Sequence, residues 1–155
     1  MSLDGTKLKK TVNSKNDDSA NFYGLDSILL ANGKNAVATV KNATLTSKAT
    51  GANGIFATNK GTVNVSNTKI KTTGKANSRG LDATYGGKIN ANKVKISTKG
   101  DHSAAAATDR GGGTVTVKNS KVATKGTGSP LAYSTGTINF NNVTGTASGS
   151  QIAGM

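Results

Sequence analysis

The sequence predicts an all-β fold, a parallel β-helix of about five coils. Three observations predict it: a repeat of about 26 residues, alternation of apolar and polar residues within each repeat, and glycine and asparagine columns that recur at the repeat period. A repeat of this length is a unit that buries its apolar edge only by stacking on its neighbours. The architecture can therefore be predicted before any single residue is interpreted.

The repeat is clearest in the middle of the chain. Three copies align over residues 53–75, 79–101 and 103–127, a shorter copy follows from Pro130, and a more divergent one begins at Leu29. Two columns of the alignment are occupied by glycine, namely Gly61, Gly87 and Gly113 near the middle of each copy and Gly74, Gly100 and Gly126 near its end.

Each copy divides into three short strands. Val63 and Val65 alternate with Asn64, which is the period of a strand rather than of a helix. Tight turns separate the runs, and a repeat of about 26 residues is too short for several antiparallel blades. Each strand is therefore expected to pair with the equivalent strand of the next coil, about 4.8 Å away.

An asparagine column at the second turn supports stacking. Stacked amides can hydrogen-bond along a ladder, and asparagine tolerates the left-handed turn conformation. The column contains Asn42, Asn67, Asn119 and Asn142, with Asn92-Lys93 in the middle coil.

Composition sets limits on the core and on the partners. Only 34% of the residues are hydrophobic and 4% aromatic, which suits a thin core of Val, Ile, Ala and Thr. No cysteine is present, which excludes disulfides and thiolate metal sites, and no apolar run approaches the roughly 18 residues of a membrane span. Twenty Lys and Arg residues against seven Asp give a net charge of +13, which attracts polyanions without selecting one.

The two ends differ from the repeats. Residues 1–20 are polar and fit no coil, which leaves a cap or a disordered segment as alternatives, and residues 21–155 form the predicted β-helix domain. No basic-then-apolar signal peptide opens the chain. Nothing after Gly149 resembles a cap, so uncovered strand edges would allow homo-oligomers to form through the ends of the β-helix.

Several strings carry a family resemblance: Gly80-LDATYGG, Ala107-TDRGGGTVTV, Gly128-SPLAYSTG and Thr144-GTASGSQIA. With these, roughly residues 20–153 resemble right-handed parallel β-helix repeat proteins of the pectin-lyase-like class, and more narrowly the adhesin-like secreted or surface proteins of Gram-positive bacteria. The resemblance implies a right-handed helix, a secreted or cell-surface location, a binding or structural role, and no established chemistry or cofactor.

The outward face of the first strand is the first candidate site. The alternation aligns Phe56, Asp82, Ala106 and Leu131 in one row and Thr58, Thr84, Thr108 and Tyr133 in another. In the class that the chain resembles, such a face commonly forms the saccharide groove, and aromatic, acidic, Arg and hydroxyl groups suit a sugar. Alternatively, Asp82 pairs with Arg79 or Arg110 and stabilises the fold. The candidate ligand-binding residues are Phe56, Arg79, Asp82, Tyr85, His102, Asp109, Arg110 and Tyr133.

The same residues make poor catalysts. Glycoside hydrolysis normally needs two carboxylates, and Asp82 and Asp109 on adjacent coils are a conceivable pair, but the chain has no Glu and its seven Asp are scattered. His102 is the only histidine, whereas zinc needs three or four ligands. We therefore expect no enzymatic activity and no metal or other cofactor.

A lysine column is the second candidate site. Lys69, Lys95 and Lys121 share an outward column of the third strand, and Lys99 and Lys125 share one in the turn beyond it. Stacked like charges repel, and a bound polyanion would relieve that repulsion. Alternatively, these lysines serve solubility and edge protection. Few aromatic residues lie among them, so base stacking and specific nucleic-acid binding are not expected.

These observations predict a noncatalytic adhesin-like or structural β-helix module of unknown ligand. The alternative is a carbohydrate-binding module, or the remnant of a polysaccharide-active enzyme, that uses the face of Arg79, Asp82 and Arg110. The expected partner is a polysaccharide or an anionic cell-surface polymer.

Overall fold

The computed structural model describes residues 1–155 and consists of stacked parallel coils. This parallel β-solenoid has about five turns that lie about 26 residues apart, and only 4% of its residues are helical. Each coil contributes three short strands or their equivalent, and the predicted fold class is confirmed.

The first strand of every coil belongs to a six-stranded sheet. All of its neighbouring strands are parallel, so each coil stacks on the next without reversal. In order along the stack, the strands are β3 (Leu29–Asn32), β6 (Ile55–Thr58), β9 (Leu81–Ala83), β12 (Ala106–Thr108), β14 (Ala132–Ser134) and β16 (Ala153–Gly154).

The second and third strands form the other two faces. The second strands are β1 (Ser2–Asp4), β4 (Val37–Lys41), β7 (Thr62–Ser66) and β10 (Gly87–Asn92). The third strands are β2 (Lys7–Lys10), β5 (Thr44–Ser47), β8 (Lys69–Thr72) and β11 (Lys95–Thr98). In the last two coils, both faces are covered by one long strand, β13 (Gly113–Thr124) and then β15 (Thr137–Ala147). Strand β15 pairs with β13 on one side only, and association through its other edge stays a prediction.

The core between the faces is thin and aliphatic. Its main cluster contains 23 buried residues, all of them Ala, Val, Leu or Ile. Each coil adds a layer of these side chains, such as Ile55, Val63 and Ile70 in one coil and Leu81, Ile89 and Ile96 in the next. The stack, rather than any single coil, therefore excludes water from the core.

The asparagine column has the predicted left-handed conformation. Its φ angles lie between 48° and 55°, and the middle coil uses Lys93 at this position. The Nδ2 group of Asn119 donates to Oδ1 of Asn92 (3.0 Å), and Nδ2 of Asn142 donates to Oδ1 of Asn119 (2.9 Å). The ladder therefore links the third, fourth and fifth coils through side chains as well as through the sheet.

The fourth and fifth coils correct one part of the predicted alignment. Asp82 pairs with Ala107, and Ala107 pairs with Tyr133, whereas Ala106 and Leu131 are buried in the core. The predicted alignment placed Ala106 beside Asp82, one residue before the observed partner Ala107, and it used Leu131, which precedes β14, in place of Tyr133. Because side chains alternate between faces, a slip of one residue places the wrong set outside.

The second outward row is corrected in the same way. Thr58 and Thr84 are neighbours, with their hydroxyl oxygens 2.8 Å apart. In the next coil Thr108 pairs with Ala83 and with Ser134, so neither Thr108 nor Tyr133 continues the row.

The N-terminal segment extends the solenoid and crosses it. Strand β1 pairs with β4 and β2 pairs with β5, so the expectation that residues 1–20 fit no coil is wrong for residues 2–10. Helix α1 (Asp18–Tyr23) follows, capped by Asp17 at its start and by Gly24, with φ 68°, at its end. It is the only helix, and it is too short and polar to cross a membrane.

Candidate functional site

Helix α1 covers the outward face of the first sheet around β6 and β9. A side chain at Gly24 would overlap the ring of Phe56, which shows how closely the end of the helix approaches β6. The hydroxyl of Thr84 donates to the carbonyl oxygen of Phe22 at 2.8 Å. Phe56, Asp82 and Thr84 are fully buried as a result. Phe56 and Asp82, the first two members of the predicted row, point away from the core, but they lie beneath the chain's own helix.

Asp82 and Asp109 are bridged by a single arginine. The Nη1 atom of Arg79 lies 2.8 Å from Oδ2 of Asp82, and its Nη2 atom lies 3.4 Å from Oδ2 of Asp109. The guanidinium also reaches the carbonyl oxygen of Asn21 in α1, at 3.4 Å. The structure therefore contains the ion pair of Asp82 with Arg79 that was one of the two alternatives. Arg79 also links the helix to the sheet.

Burial dominates the chemistry of Asp82. Removal from water raises its pKa to about 7, and the charge of Arg79 opposes the rise without cancelling it. Its Oδ2 atom has Arg79 as partner, whereas its Oδ1 atom has no hydrogen-bond partner. A carboxyl group in this environment binds a proton more strongly in the folded chain than in the unfolded chain.

Tyr85 and Arg110 hold α1 from its other side. The rings of Tyr85 and Tyr23 stack with centroids 5.3 Å apart. Arg110 bonds the carboxylate of Asp18 at 2.9 Å, and its guanidinium lies 3.7 Å from the centroid of Phe22. Two of the predicted ligand-binding residues are thus occupied by contacts with the N-terminal segment.

An open pocket of about 240 Å³ remains beside the helix. It brings together four of the eight predicted residues: Arg79, His102, Asp109 and Tyr133. The other four are either fully buried (Phe56 and Asp82) or engaged with α1 (Tyr85 and Arg110). The pocket contains the rings of His102 and Tyr133 and the partly exposed ion pair of Arg79 with Asp109, in a space that fits a single sugar-sized group.

Sequence reasoning missed part of the pocket wall. Asn77, Gly128 and Pro130 line it together with Ala104. Asn77 and Gly128 share the left-handed conformation of His102, with φ between 49° and 60°, at the turn that leads from one coil to the next. Aligning this turn as a third column would have found them.

Sequence reasoning also missed α1. The chain carries ordinary helix signals there, because Asp17 caps the first turn, Asp18 is acidic within it and Gly24 follows the last residue. A helix of six residues is too short to show an apolar period. Its contact with the first sheet depends on Arg79 and Thr84, which are about 60 residues away in sequence.

The predicted lysine column is confirmed as a structural feature. Lys69 pairs with Lys95 and Lys95 with Lys121, and all three side chains are exposed. In the turn beyond, Lys99 and Lys125 lie on successive coils and are also exposed. None of these five lysines is within ion-pair distance of a carboxylate, because the four ion pairs of the protein involve Lys10, Arg79 and Arg110.

The remaining site chemistry is limited. No group of three or more His, Cys, Asp or Glu side chains is placed to hold a metal ion.

Comparisons with protein-family models, with curated proteins and with solved structures each found no match.

The buried carboxyl group of Asp82 predicts a specific pH dependence. Its pKa rises from 3.8 to about 7 on folding, so its contribution to stability is complete below about pH 4 and is lost as the pH rises through about 7. Between those limits, the free energy of unfolding of the wild type relative to Asp82→Asn should fall by up to about 4 kcal/mol. Urea titrations of both proteins across this range would measure it, and parallel pH profiles would contradict it.

Proposed function

We propose that the protein is a noncatalytic binding module, adhesin-like or structural, built on a parallel β-solenoid. One observation carries this proposal: the two carboxylates on adjacent coils of the first sheet are both ion-paired to Arg79, and Asp82 is sealed beneath α1. A general acid or base must come within hydrogen-bond reach of the substrate atom that it serves. Asp82 has no exposed surface, so it cannot reach a glycosidic oxygen while α1 is in place.

Asp109 alone does not supply the chemistry. Glycoside hydrolysis uses a second carboxyl group across the scissile bond. The pocket beside α1 contains Asp109 as its only carboxylate, and Arg79 bonds it there. These contacts suit a site that holds a ligand more than one that transforms it.

Carbohydrate binding in the pocket is a second candidate function. The rings of His102 and Tyr133 provide planar apolar surface, and the partly open pair of Arg79 and Asp109 provides donors and acceptors. A few convergent polar groups beside aromatic surface are the usual composition of such sites. The volume of about 240 Å³ suits one sugar unit of a chain rather than a long segment.

The family and the location of the protein are proposals that rest on the resemblance of the coil motifs. We propose a place among the pectin-lyase-like β-helix proteins and a location outside the cell or on its surface. The lysine-rich surface is consistent with display toward anionic polymers.

A combined assay of turnover and binding tests these proposals. After incubation with acidic and neutral polysaccharides, we expect no new reducing ends and no unsaturated products. Turnover that Asp82→Asn or Asp109→Asn abolishes would contradict the noncatalytic proposal.

Sugar binding in the pocket has its own test. If the pocket binds a sugar, Tyr133→Ala should weaken the affinity about tenfold, since loss of an aromatic contact commonly costs over ~1 kcal/mol. The exposed ring of Phe140, on β15, provides the matched control as Phe140→Ala. Equal effects of the two variants in a glycan titration would remove the pocket as the site.

A further inference from the structure

We propose that a second surface binds a linear acidic polysaccharide. This lysine face is defined by Lys69, Lys93, Lys95 and Lys121, on the third strands of successive coils and the turn before them. This proposal depends on the proposed noncatalytic binding role, for which it names a class of ligand. The lysine face contains none of the residues around α1.

The lysine face concentrates uncompensated positive charge. Lys69, Lys95 and Lys121 are direct neighbours in the sheet, so their backbones lie about 4.8 Å apart from coil to coil. Like charges in register destabilise a sheet. No carboxylate lies within ion-pair distance of any of them. A bound polyanion would turn this repulsion into attraction.

The lysines surround a shallow depression of about 380 Å³. Asn67 and Asn119 of the asparagine column line it as well, with Thr68 and Val94. Ammonium groups and side-chain amides are donors that suit carboxylate or sulfate oxygens. No acidic side chain lines the depression, so its electrostatic character is positive throughout.

Lys93 is the most informative member of the face. Four of the five coils place Asn in the left-handed position of the second turn, and only the middle coil places Lys there, with φ 55°. The left-handed conformation is unfavourable for residues other than Gly, Asn and Asp. Here it places a fourth ammonium group beside the column, at the centre of the stack.

The chemistry of the face favours a polysaccharide over a nucleic acid. None of the six aromatic residues lies on a third strand or in the second turn, so bases would find no stacking surface. Three rungs extend over about 10 Å, which suits a chain that carries successive anionic groups along the solenoid axis.

The test compares Lys93→Asn with a matched control, Lys88→Asn. Lys88 is an exposed lysine of β10 on the second face, so both variants lose one charge. The probe is a heparin oligosaccharide of defined length, titrated at several salt concentrations. We expect Lys93→Asn to weaken binding about fivefold and the control less than twofold. The triple variant Lys69→Gln, Lys95→Gln, Lys121→Gln should lose about 100-fold.

Thermal unfolding separates this effect from misfolding. Because Asn is the residue of the other four coils, Lys93→Asn should raise Tm, by about 2 °C, while it weakens binding. Equal affinities of Lys93→Asn and Lys88→Asn would overturn the proposal. A single-stranded DNA of equal charge that binds as tightly as the oligosaccharide would overturn the ligand class. Failure of the folded protein to bind heparin also overturns it, whereas the noncatalytic proposal fails only if turnover is found.

Discussion

Replacing Arg79 with methionine is expected to lower the free energy of unfolding by about 3–5 kcal/mol at pH 8. Asp82 is fully buried and its only side-chain partner is Arg79, at 2.8 Å. Without that partner, the carboxyl group must either remain charged in a nonpolar environment or take up a proton against the solution pH. The substitution also removes the contact between Arg79 and α1, so the helix should loosen.

The pH and a second substitution provide the controls for Arg79→Met. At about pH 5 the carboxyl group of Asp82 is mostly protonated, so the loss should shrink to about 1–2 kcal/mol. The double variant Arg79→Met, Asp82→Asn should recover much of the stability at pH 8, because no buried charge remains. Denaturant titrations at the two pH values measure all three proteins. A small loss that does not change with pH would show that the ion pair does not hold the segment in place.

Gly100→Ala is expected to destabilise the fold by about 3 kcal/mol, an effect typical of overpacking. A methyl group at Gly100 would overlap the carbonyl oxygen of Gly74, the equivalent residue of the coil before. The φ angle of Gly100 is not in the left-handed region, so the cost comes from close stacking of the coils rather than from backbone strain. Gly126 stands in the same relation to Gly100.

Gly33→Ala is the matched control for this prediction. Gly33 has φ 108° but no atom within 4 Å of the added methyl group, so its replacement tests strain without the clash. We expect a loss of about 1 kcal/mol there. Chemical denaturation of the two variants distinguishes the effects. Equal losses would contradict the role of the glycine column in setting the distance between coils.

The sequence predicted the stack well because its signals are local and repeated. The columns of Gly61 and Gly74 and the asparagine turn recur in successive coils, so errors in one copy are corrected by the others. The row that failed, from Asp82 to Ala106, has no such support. The fourth coil gains one residue between its first and second strands, since Leu81 pairs with Ala106 but Gly87 pairs with Gly113, and the first strand there begins with two successive alanines. Composition could not show which alanine faces outward.

The candidate site was harder to predict because a nonrepeated segment completes it. Arg79 and Asp82 were correctly paired as one alternative, since they lie three residues apart on one strand and its turn. Their burial depends on α1, and the contacts of Asn21 and Phe22 with the sheet have no counterpart in another coil. The lysine column followed directly from the repeat, and the depression around Lys93 required the conformation of the turn.

The two candidate surfaces divide the protein by charge. Asp17, Asp18 and Asp26 lie in the N-terminal segment that crosses the first sheet, Asp82 lies beneath it, and Asp109 lines the pocket beside it. Arg79 and Arg110 neutralise part of this negative charge. On the third face, only Lys10 pairs with a carboxylate, that of Asp26, and the four lysines of the lysine face have no such partner. A ligand that approaches the lysine face therefore meets positive charge that no carboxylate of the chain neutralises.

One measurement tests most directly whether the protein binds acidic polymers without acting on them. Heparin oligosaccharide is incubated with the wild type and with the triple variant of Lys69, Lys95 and Lys121, and both retained ligand and cleavage products are quantified. We expect salt-sensitive binding by the wild type, about 100-fold weaker binding by the variant, and intact oligosaccharide in both cases. Cleaved oligosaccharide, or equal binding by the two proteins, would contradict it.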